Sequence, residues 1–288
     1  MAPGREDSAD AVVDLVMRSI HGREARIIAH EGAGGIDGLL VWSLLPWDSS
    51  ITGIRCSRIS LLGGEGLGDM LSAWREVAGS EGVEYTTARL PCGDECHGAR
   101  VESLKRAGFT RLEEIVYLSA PTGRTHDAPA DIEQAQPGDM EMIREVARRS
   151  FSFDRFHSEP LFSREVADSI HEEWARNSFA GRADVVLMKK GPEGWPVGYC
   201  TVIVPDMKGA VAGWIDMLAV RPGEREKGKG RRLVKGAFYW LKARGIAEAA
   251  LCTQSGNLPA LGLYNKTGFR EYATAETWSL RTTGQGCS

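Results

Sequence analysis

A basic turn that contains two glycines is the stretch of this sequence best suited to hold phosphate groups. Arg225–Gly230 reads REKGKG and stands between an apolar run that ends at Val220 and a run of helical periodicity. Glycine lets a ligand approach the main chain closely, and the N–H groups that begin a helix attract anions. Six basic and two acidic side chains lie in Arg221–Arg232, although the net charge of the chain is −4. The turn is therefore predicted to bind a pyrophosphate.

Other phosphate-binding patterns fit this turn less well. A Walker A loop requires Ser or Thr after Gly-Lys, but Gly230 follows Lys229. A Rossmann fingerprint requires a third glycine where this sequence has Leu233. A nucleic-acid surface would spread basic and aromatic side chains widely, whereas here the basic residues are confined to one turn of an acidic protein. An ordinary solvated turn is the remaining alternative.

A second group of polar residues lies on the stretch 257–267, which has the pattern of a helix. Asn257 is suited to cap its first turn, and Gly268 is suited to end it in a left-handed conformation. Tyr264 follows Asn257 by close to two helical turns, so both side chains are expected on one face. A packing role for a buried tyrosine is the alternative to a chemical one.

Taken together, the two motifs resemble those of the GNAT acetyltransferase superfamily. Arg-x-x-Gly-x-Gly after an apolar strand is similar to its acetyl-CoA motif, and Asn-x-x-Ala-x-x-x-Tyr-x-x-x-Gly-Phe is similar to its last motif. The resemblance implies acetyl-CoA as co-substrate and no metal. It implies cofactor contacts from Leu218, Ala219, Val220, Arg225, Glu226, Lys227, Gly228, Lys229, Gly230, Arg231, Asn257 and Tyr264.

The same resemblance implies that an amine attacks the acetyl thioester directly. Tyr264 would be the general acid that protonates the departing thiolate, a transfer that is uphill by about 2 kcal/mol between unperturbed groups. A main-chain N–H of Leu218 or Val220 would stabilise the oxyanion, and one such donor is typically worth about 3–4 kcal/mol. No Ser-His-Asp or Cys-His set is evident in the sequence, so a covalent acetyl-enzyme is not expected.

Three routes for removing a proton from the amine stay open. Asp216 is the lone carboxylate of the apolar strand predicted over 211–220, and burial could raise its pKa towards that of a useful base. It could instead brace the structure by pairing with an arginine or a tyrosine. His157 is a second candidate base, with a surface histidine as its alternative, and relay through water is the third route.

An aromatic-rich stretch, 151–181, is the candidate binding element for the acceptor and is called the acceptor segment below. Aromatic faces beside charged side chains could hold a base, a sugar and a phosphate, although the same aromatics could serve helix packing. As a run it resembles the dTDP-fucosamine acetyltransferases, which acetylate nucleotide-linked deoxy amino sugars, as does the turn Trp47-Asp48-Ser49. Ile51-Thr52-Gly53 departs from their usual Phe-Phe-Gly, which leaves the sugar open. The candidate contacts are Asp154, Arg155, His157 and Trp174.

These groups need a sheet and helices to position them, and the hydrophobic pattern predicts an α/β (α+β) fold. The stretches 83–119 and 246–280 both read strand, helix, Gly-Phe, strand, which predicts tandem GNAT-like domains with mixed central sheets flanked by helices. Leu104 stands where the second copy has Tyr264, so the N-terminal copy is expected to be degenerate. The predicted limits are 1–120 for the first domain, 121–130 for a linker and 131–288 for the catalytic domain.

Some individual elements are predicted less directly than the motifs. We expect a helix over 9–20, a turn at 46–50, an irregular stretch over 151–162 and two strands within 269–281. Asp139 is expected to cap the helix that ends near Ser150.

The composition is that of a soluble globular protein, with 42% apolar and 26% charged residues among 288. No apolar run approaches the ~20 residues that cross a bilayer, and the first residues lack a signal-peptide core, so a cytoplasmic location is expected. The six cysteines have no disulfide spacing, and Cys92-x-x-x-Cys96-His97 has no second pair of metal ligands. The expected partner is a small-molecule amine, with neither nucleic acid nor membrane, and monomer and homodimer stay open.

The leading hypothesis is an N-acetyltransferase that acts on a nucleotide-linked deoxy amino sugar such as dTDP-fucosamine. Acetylation of another small amine or of a peptide is the alternative among enzymes. A non-catalytic acetyl-CoA sensor is the alternative from another class, and the retention of Asn257, Tyr264 and the complete basic turn argues against it.

Overall fold

The computed structural model of the protein describes residues 24–124, 129–205 and 212–282. The chain divides into unit 1, which is Met1–Ile115 with Ala273–Ser288, and unit 2, which is Val116–Tyr272. The helix expected over 9–20 and part of the expected linker 121–130 lie outside the described residues. The domain limits drawn from the sequence stay a prediction. Within the described ranges, no helix is long and apolar enough to cross a membrane.

Unit 1 is a mixed sheet with helices packed on it. Its strands lie in the order β1-β2-β3-β4-β11, and β3 and β4 are parallel while the other pairs are antiparallel. The core lies under the second helix, where Trp74 contacts Phe109 with 5.7 Å between ring centroids. In chain order the elements are β1 (Arg26–Gly32), β2 (Gly35–Leu44), α1 (Pro46–Thr52), β3 (Cys56–Gly64), α2 (Leu67–Ser80), β4 (Tyr85–Pro91), α3 (His97–Arg106), the start of β5 (Thr110–Pro121) and most of β11 (Arg270–Arg281).

Unit 2 repeats this architecture with more helical content. Its strands lie in the order β5-β10-β9-β8-β7-β6, and β9 and β10 are parallel. In chain order it contains the rest of β5, β6 (Glu133–Gln134), α4 (Met140–Ser150), α5 (Arg155–Ser158), α6 (Arg164–Asn177), β7 (Val185–Lys190), β8 (Pro196–Ile203), β9 (Ala212–Val220), α7 (Lys229–Lys242), β10 (Glu248–Gln254), α8 (Leu258–Thr267) and the beginning of β11.

Helix α7 connects the parallel strands β9 and β10 and covers the sheet of unit 2. Its buried side chains recur every three or four residues, so one face of the helix is apolar. They pack against β5, β7, β8 and β10 in one continuous core. The residues of α7 in this core are Leu233, Val234, Ala237, Phe238 and Leu241.

The two units share one sequence of elements, which confirms the predicted tandem of mixed α/β domains. In unit 1, β2 and β3 pair antiparallel with α1 between them, α2 crosses to the parallel strand β4, and α3 follows. In unit 2, β8 and β9 form a hairpin, α7 crosses to the parallel strand β10, and α8 follows. The final strand of the chain, β11, pairs antiparallel with β4 from Ala275 opposite Pro91 to Arg281 opposite Tyr85. Unit 1 is therefore assembled from two separate parts of the sequence.

Three local predictions are wrong. The expected turn at 46–50 is the short helix α1, in which Pro46 occupies the first helical position, where its missing N–H costs nothing. The two strands expected within 269–281 are the single strand β11, because one register with β4 runs through the stretch. Asp139 does lie at the N-cap position of α4, but its carboxylate accepts a hydrogen bond from the main-chain N–H of Gln136 at 2.8 Å and makes no capping hydrogen bond to the helix.

Candidate active site

The strands β9 and β10 are paired at one end only, and this opens a wedge in the sheet of unit 2. Their parallel register runs from Ala212 opposite Glu248 to Trp214 opposite Ala250 and stops there. Strand β9 continues to Val220 while it stays paired with β8 on its other side. The edge of β9 from Ile215 to Val220 that faces β10 is called the open edge below. Main-chain groups on an unpaired edge need another hydrogen-bonding partner.

The alternation of the β8–β9 ladder determines which main-chain groups face the open edge. In an antiparallel pair, hydrogen-bonded and non-hydrogen-bonded residue pairs alternate. The N–H of Arg221 donates to the carbonyl of Val197 at 2.9 Å, and the register pairs Val220 with Gly198. The amides of Leu218 and Val220 therefore point away from β8 and towards the open edge. The amide of Ala219, between them, points to β8, so it is not available to a ligand.

The basic turn after β9 presents a row of unused main-chain donors. Among the described residues, no hydrogen bond within the protein is donated by a main-chain N–H from Glu226 to Arg231. Gly228 stands just before the first residue of α7 with a φ of 72°, in the left-handed region, and no atom lies within 4 Å of where its Cβ would be. Glu226 also has a positive φ, 62°, which is uncommon for a residue with a side chain. These donors and the positive end of the helix dipole make the turn suited to an anion, and it is called the cradle below (residues 225–231).

The charged side chains of the cradle are largely paired within the protein. The ammonium of Lys229 contacts the carboxylate of Glu224, and the Lys227 ammonium donates to the carbonyl of Gly223 at 3.0 Å. The hydrogen bond from Lys229 lowers the pKa of the exposed Glu224, so this carboxylate stays ionised. The main-chain amides, more than the lysine side chains, are thus left to meet an anion.

The second glycine of the cradle serves helix packing. A Cβ on Gly230 would lie 2.9 Å from Cδ2 of Leu263, a residue of α8. A larger side chain would require the Leu263 side chain to move. Gly228 and Gly230 therefore have different roles, one in backbone conformation and one in packing.

Asn257 and Tyr264 both lie on α8, as predicted. The Oδ1 of Asn257 accepts a hydrogen bond from the Ala260 N–H at 3.3 Å, and its Nδ2 donates to Oγ1 of Thr253 at 3.2 Å, so the predicted cap is confirmed. Tyr264 is 7% exposed, and the described residues make no hydrogen bond to its hydroxyl. Burial, with a smaller contribution from the Cys200 and Cys252 thiols, raises the pKa of Tyr264, so its phenol stays protonated.

Asp216 is held by an arginine that the sequence gives no reason to single out. The guanidinium of Arg182 donates to both carboxylate oxygens of Asp216 at 2.9 Å, and it lies 5.7 Å from the ring centroid of Trp174. Both carboxylate oxygens of Asp216 are thus occupied by one side chain, which holds the carboxylate in a fixed orientation. The geometry therefore favours the bracing role of Asp216 over the role of base. No local pattern could have revealed Arg182, because it lies far from Asp216 in sequence.

A network of hydrogen bonds organises the start of the acceptor segment. Oδ1 of Asp154 accepts from the main-chain N–H groups of Phe156 and His157 at 2.8 and 3.2 Å, and this cap produces α5 in a stretch expected to be irregular. Its Oδ2 lies 2.5 Å from Nδ1 of His157 and 2.9 Å from Nε2 of His171. Nε2 of His157 lies 3.1 Å from a carboxylate oxygen of Asp168. The network thus ties α5 to α6.

Both nitrogens of His157 face carboxylates, which decides its charge. Burial lowers the pKa of His157, but the hydrogen bonds and charges of Asp154 and Asp168 outweigh burial and raise it. Burial likewise raises the pKa of Asp154, but His157 and His171 outweigh it, and the pKa lies below its ordinary value. His157 is therefore a half-buried histidine whose protonated form the two carboxylates favour, and not a surface histidine.

The ligand atoms of Asp154, His157 and His171 lie close enough together to be considered as a metal site. They lie within 4.8 Å of one another. Two ligand atoms on a tetrahedral zinc ion are separated by about 3.3 Å, given bonds of about 2.0–2.1 Å. The oxygen–nitrogen distances of 2.5 and 2.9 Å are shorter and are those of hydrogen bonds. These distances are better explained by hydrogen bonds between the three side chains than by a metal ion that all three bind.

The other predicted contacts of the acceptor segment pack between its helices. Trp174 meets the rings of Phe156 and His171 edge to face, at 6.1 and 5.3 Å between centroids. The guanidinium of Arg155 is buried and lies 4.3 Å from the ring centroid of Phe156. His171 was not among the predicted site residues, although it lies on the apolar face of α6 beside Ile170 and Ala175, where a polar side chain stands out.

Known proteins resemble this chain in sequence and in fold. The model of the Acetyltransferase (GNAT) family matches residues 140–269. The chain is 26% identical over 239 residues to the spore coat polysaccharide biosynthesis protein SpsD of Bacillus subtilis (strain 168), covering 81% of this chain and 80% of that protein. It is 25% identical over 234 residues to the dTDP-fucosamine acetyltransferase of Escherichia coli O6:H1 (strain CFT073), covering 80% of this chain and 94% of that protein. A GCN5-related N-acetyltransferase from Sphaerobacter thermophilus has a similar fold, with a TM-score of 0.64, 17% identity and coverage of 95% and 89%.

The His157 network is expected to make stability depend on pH. Because folding raises the pKa of His157, its contribution is complete below the ordinary value of 6.5 and is lost as the pH rises through the folded-state pKa. Because folding lowers the pKa of Asp154, the contribution of this carboxylate is present above 3.8 and is lost as the pH falls through its folded-state pKa. The network therefore stabilises the fold most between these ordinary values.

His157→Asn tests this dependence by removing the cation. The free energy of unfolding, measured by urea denaturation, is expected to fall by roughly 1–2 kcal/mol near pH 5.5 and by less near pH 8.5. His30→Asn is the matched control, because His30 pairs with Asp37 at an exposed position, where an ion pair contributes little. An equal loss at both pH values in the His157 variant would contradict the assignment.

Proposed function

We propose that the protein transfers the acetyl group of acetyl-CoA to the amine of a nucleotide-linked deoxy amino sugar. The premise is that residues 140–269, which the model of the Acetyltransferase (GNAT) family matches, form an N-acetyltransferase domain. The observation that carries the proposal is the row of unused amides from Glu226 to Arg231 beside the open edge of β9. A diphosphate on the cradle would leave the rest of the coenzyme to extend along that edge. The main-chain donors fit coenzyme A, since its pyrophosphate is a doubly charged anion.

Transfer then proceeds in one displacement. The nitrogen of the acceptor attacks the carbonyl carbon of the thioester, and the negative charge that develops on the carbonyl oxygen is stabilised by the amide of Leu218 or Val220 at the open edge. The carbon–sulfur bond breaks, and the departing thiolate takes a proton from the Tyr264 hydroxyl. Tyr264 suits this role because it stays protonated and its hydroxyl has no partner among the described residues. The amides position the thioester and polarise its carbonyl group. They and the proximity of the two reactants account for most of the rate enhancement.

The proton of the amine leaves by a route that does not require Asp216 or His157. Asp216 is engaged by Arg182, and the two ring nitrogens of His157 are engaged by the carboxylates of Asp154 and Asp168. Relay through water is the remaining route of the three considered, and we propose it. The base role first considered for Asp216 thereby gives way to a bracing role at the open edge.

The choice of acceptor rests on the relatives and on the acceptor segment. One relative is named as a dTDP-fucosamine acetyltransferase and another as a protein of spore coat polysaccharide biosynthesis. Both names point to sugars, and the acceptor segment offers the aromatic faces that sugars and bases stack on. Acetylation of another amine or of a peptide is the alternative among enzymes. The cytoplasmic location and the choice between monomer and homodimer stay predictions.

A direct assay tests the proposal and separates it from a non-catalytic sensor. The protein is incubated with acetyl-CoA and a panel of amines: dTDP-linked amino-deoxy sugars, free amino sugars, polyamines and peptides with free N-termini. Mass spectrometry is expected to detect an added acetyl group on a nucleotide sugar. Acetylation of peptides alone would overturn the sugar assignment. Coenzyme binding with no acetylated product on any amine would favour the sensor.

Tyr264→Phe tests the proton donor. Turnover is expected to fall by about 10²–10⁴-fold, because the thiolate must leave without a positioned acid. The affinity for acetyl-CoA, measured by isothermal titration calorimetry, is expected to stay within about threefold, because the ring and its packing on Phe269 are kept. Turnover equal to that of the wild type would remove Tyr264 from the mechanism.

Gly228→Val tests the cradle. A β-branched residue in the left-handed region is strained, and its side chain would enter the space that the coenzyme needs, so acetyl-CoA is expected to bind at least about tenfold more weakly. Gly223→Val is the matched control, because Gly223 has no positive φ and nothing lies within 4 Å of its Cβ position. Unchanged affinity in the Gly228 variant, or an equal loss in both, would contradict the cradle.

A further inference from the structure

The first residue of the cradle, Arg225, turns its side chain away from the row of amides. Its Nη2 donates to the main-chain carbonyl of Ser150 at 2.6 Å, and its Nε donates to the main-chain carbonyl of Val220 at 3.1 Å. The guanidinium group donates in a fixed plane, so two carbonyls held at once are held at a fixed separation. Arg225 was predicted to contact the cofactor. Its side-chain contacts suggest a different role, in which it holds two main-chain carbonyls.

The Ser150 carbonyl belongs to a helix end that needs such a donor. Ser150 is the last residue of α4, and the last carbonyls of a helix have no partner within it. A cation at this end is also favoured by the helix dipole. The basic residues of the last turn are engaged elsewhere, since Arg149 pairs with Glu145 at 2.5 Å and Arg148 lies 3.7 Å from Glu172. Arg225 reaches the helix end from another part of the chain.

The Val220 carbonyl lies at the end of the open edge. Because the N–H and the carbonyl of a strand residue point to the same side, this carbonyl faces away from β8, as does the amide proposed for the oxyanion. Phe151, the first residue of the acceptor segment, follows Ser150 directly. One side chain thus joins the strand end beside the thioester to the residue from which the acceptor segment begins.

We propose that Arg225 is a positioning residue that fixes the start of the acceptor segment against the end of β9. This inference rests on the proposed function, since it concerns the geometry in which amine and thioester meet. Rates of such encounters fall steeply with small displacements, and a shift of about 1 Å can cost about 100-fold. The role is distinct from phosphate binding, because the main-chain amides of the cradle remain available when the side chain is removed.

Three variants test the proposal. Arg225→Ala removes both hydrogen bonds, and Arg225→Lys keeps the charge but offers a point donor that reaches one carbonyl only. Arg221→Ala is the control, because Arg221 is an exposed arginine of the same turn whose side chain makes no hydrogen bond or ion pair among the described residues. Thermal unfolding of each variant establishes that it is folded before other measurements are made.

Hydrogen–deuterium exchange and calorimetry with coenzyme A are the principal measurements. Arg225→Ala is expected to speed exchange in peptides that cover 151–162 and to leave the affinity for coenzyme A within about threefold. With the best amine of the panel, kcat/KM is expected to fall by roughly 10–100-fold. Arg225→Lys should recover part of both effects, and Arg221→Ala should match the wild type.

The outcomes separate this inference from the proposed function. If Arg225→Ala weakens coenzyme A binding tenfold while exchange in 151–162 is unchanged, Arg225 is a phosphate ligand and the inference is wrong. Unchanged exchange with unchanged affinity also overturns it. If the wild type itself does not bind coenzyme A, the proposed function fails, whereas the exchange data still report whether Arg225 holds the segment.

Discussion

The separation of β9 from β10 after Trp214 is the constraint on which the candidate active site of unit 2 depends. A parallel pair that continued to Val220 would use the amides of Leu218 and Val220 in the sheet and leave nothing for a ligand. Because β10 parts from β9, those donors face open space, and the chain leaves β9 directly into the cradle and α7. The site is thus built mainly from main-chain groups whose directions follow from strand register and helix geometry. Side chains are then free to hold this main chain in place.

The ion pairs and hydrogen bonds of charged side chains in unit 2 agree with this arrangement, in which main-chain groups face the ligand and side chains hold the main chain in place. The lysines of the cradle contact Glu224 and Gly223, Arg182 engages Asp216, and Arg225 bonds to two carbonyls. His157 is likewise enclosed by Asp154 and Asp168. Most of these charges lie against partners that fix a neighbouring backbone segment, which explains how a conspicuously basic turn can act through its neutral amides. Mutations at these positions are expected to disturb geometry more than local charge.

Local sequence patterns predicted much of this site, and long-range pairing accounts for what they missed. The cradle, the Asn257 cap and the helix that carries Tyr264 each depend on residues within a few turns of one another, so spacing was sufficient. Arg182, the Ser150 carbonyl and the link from Asp154 to His171 depend on segments that meet only in the fold. Strand β11 was divided in two because its continuity comes from its partner β4, and α1 was missed because Pro46 reads equally as a turn residue. The alternating mixed α/β architecture itself followed from hydrophobic periodicity and the internal repeat.

Because most of β11 belongs to unit 1, that unit cannot be completed during synthesis until the ribosome has passed residue 281. The nascent N-terminal sheet must wait with β4 as an exposed edge, the kind of surface that invites pairing with other chains. A stop codon just ahead of β11 would therefore harm the first unit translated, although every residue of its N-terminal part had been made. Such a truncated chain would have an incomplete and aggregation-prone N-terminal sheet, and it would not be a shortened but intact enzyme.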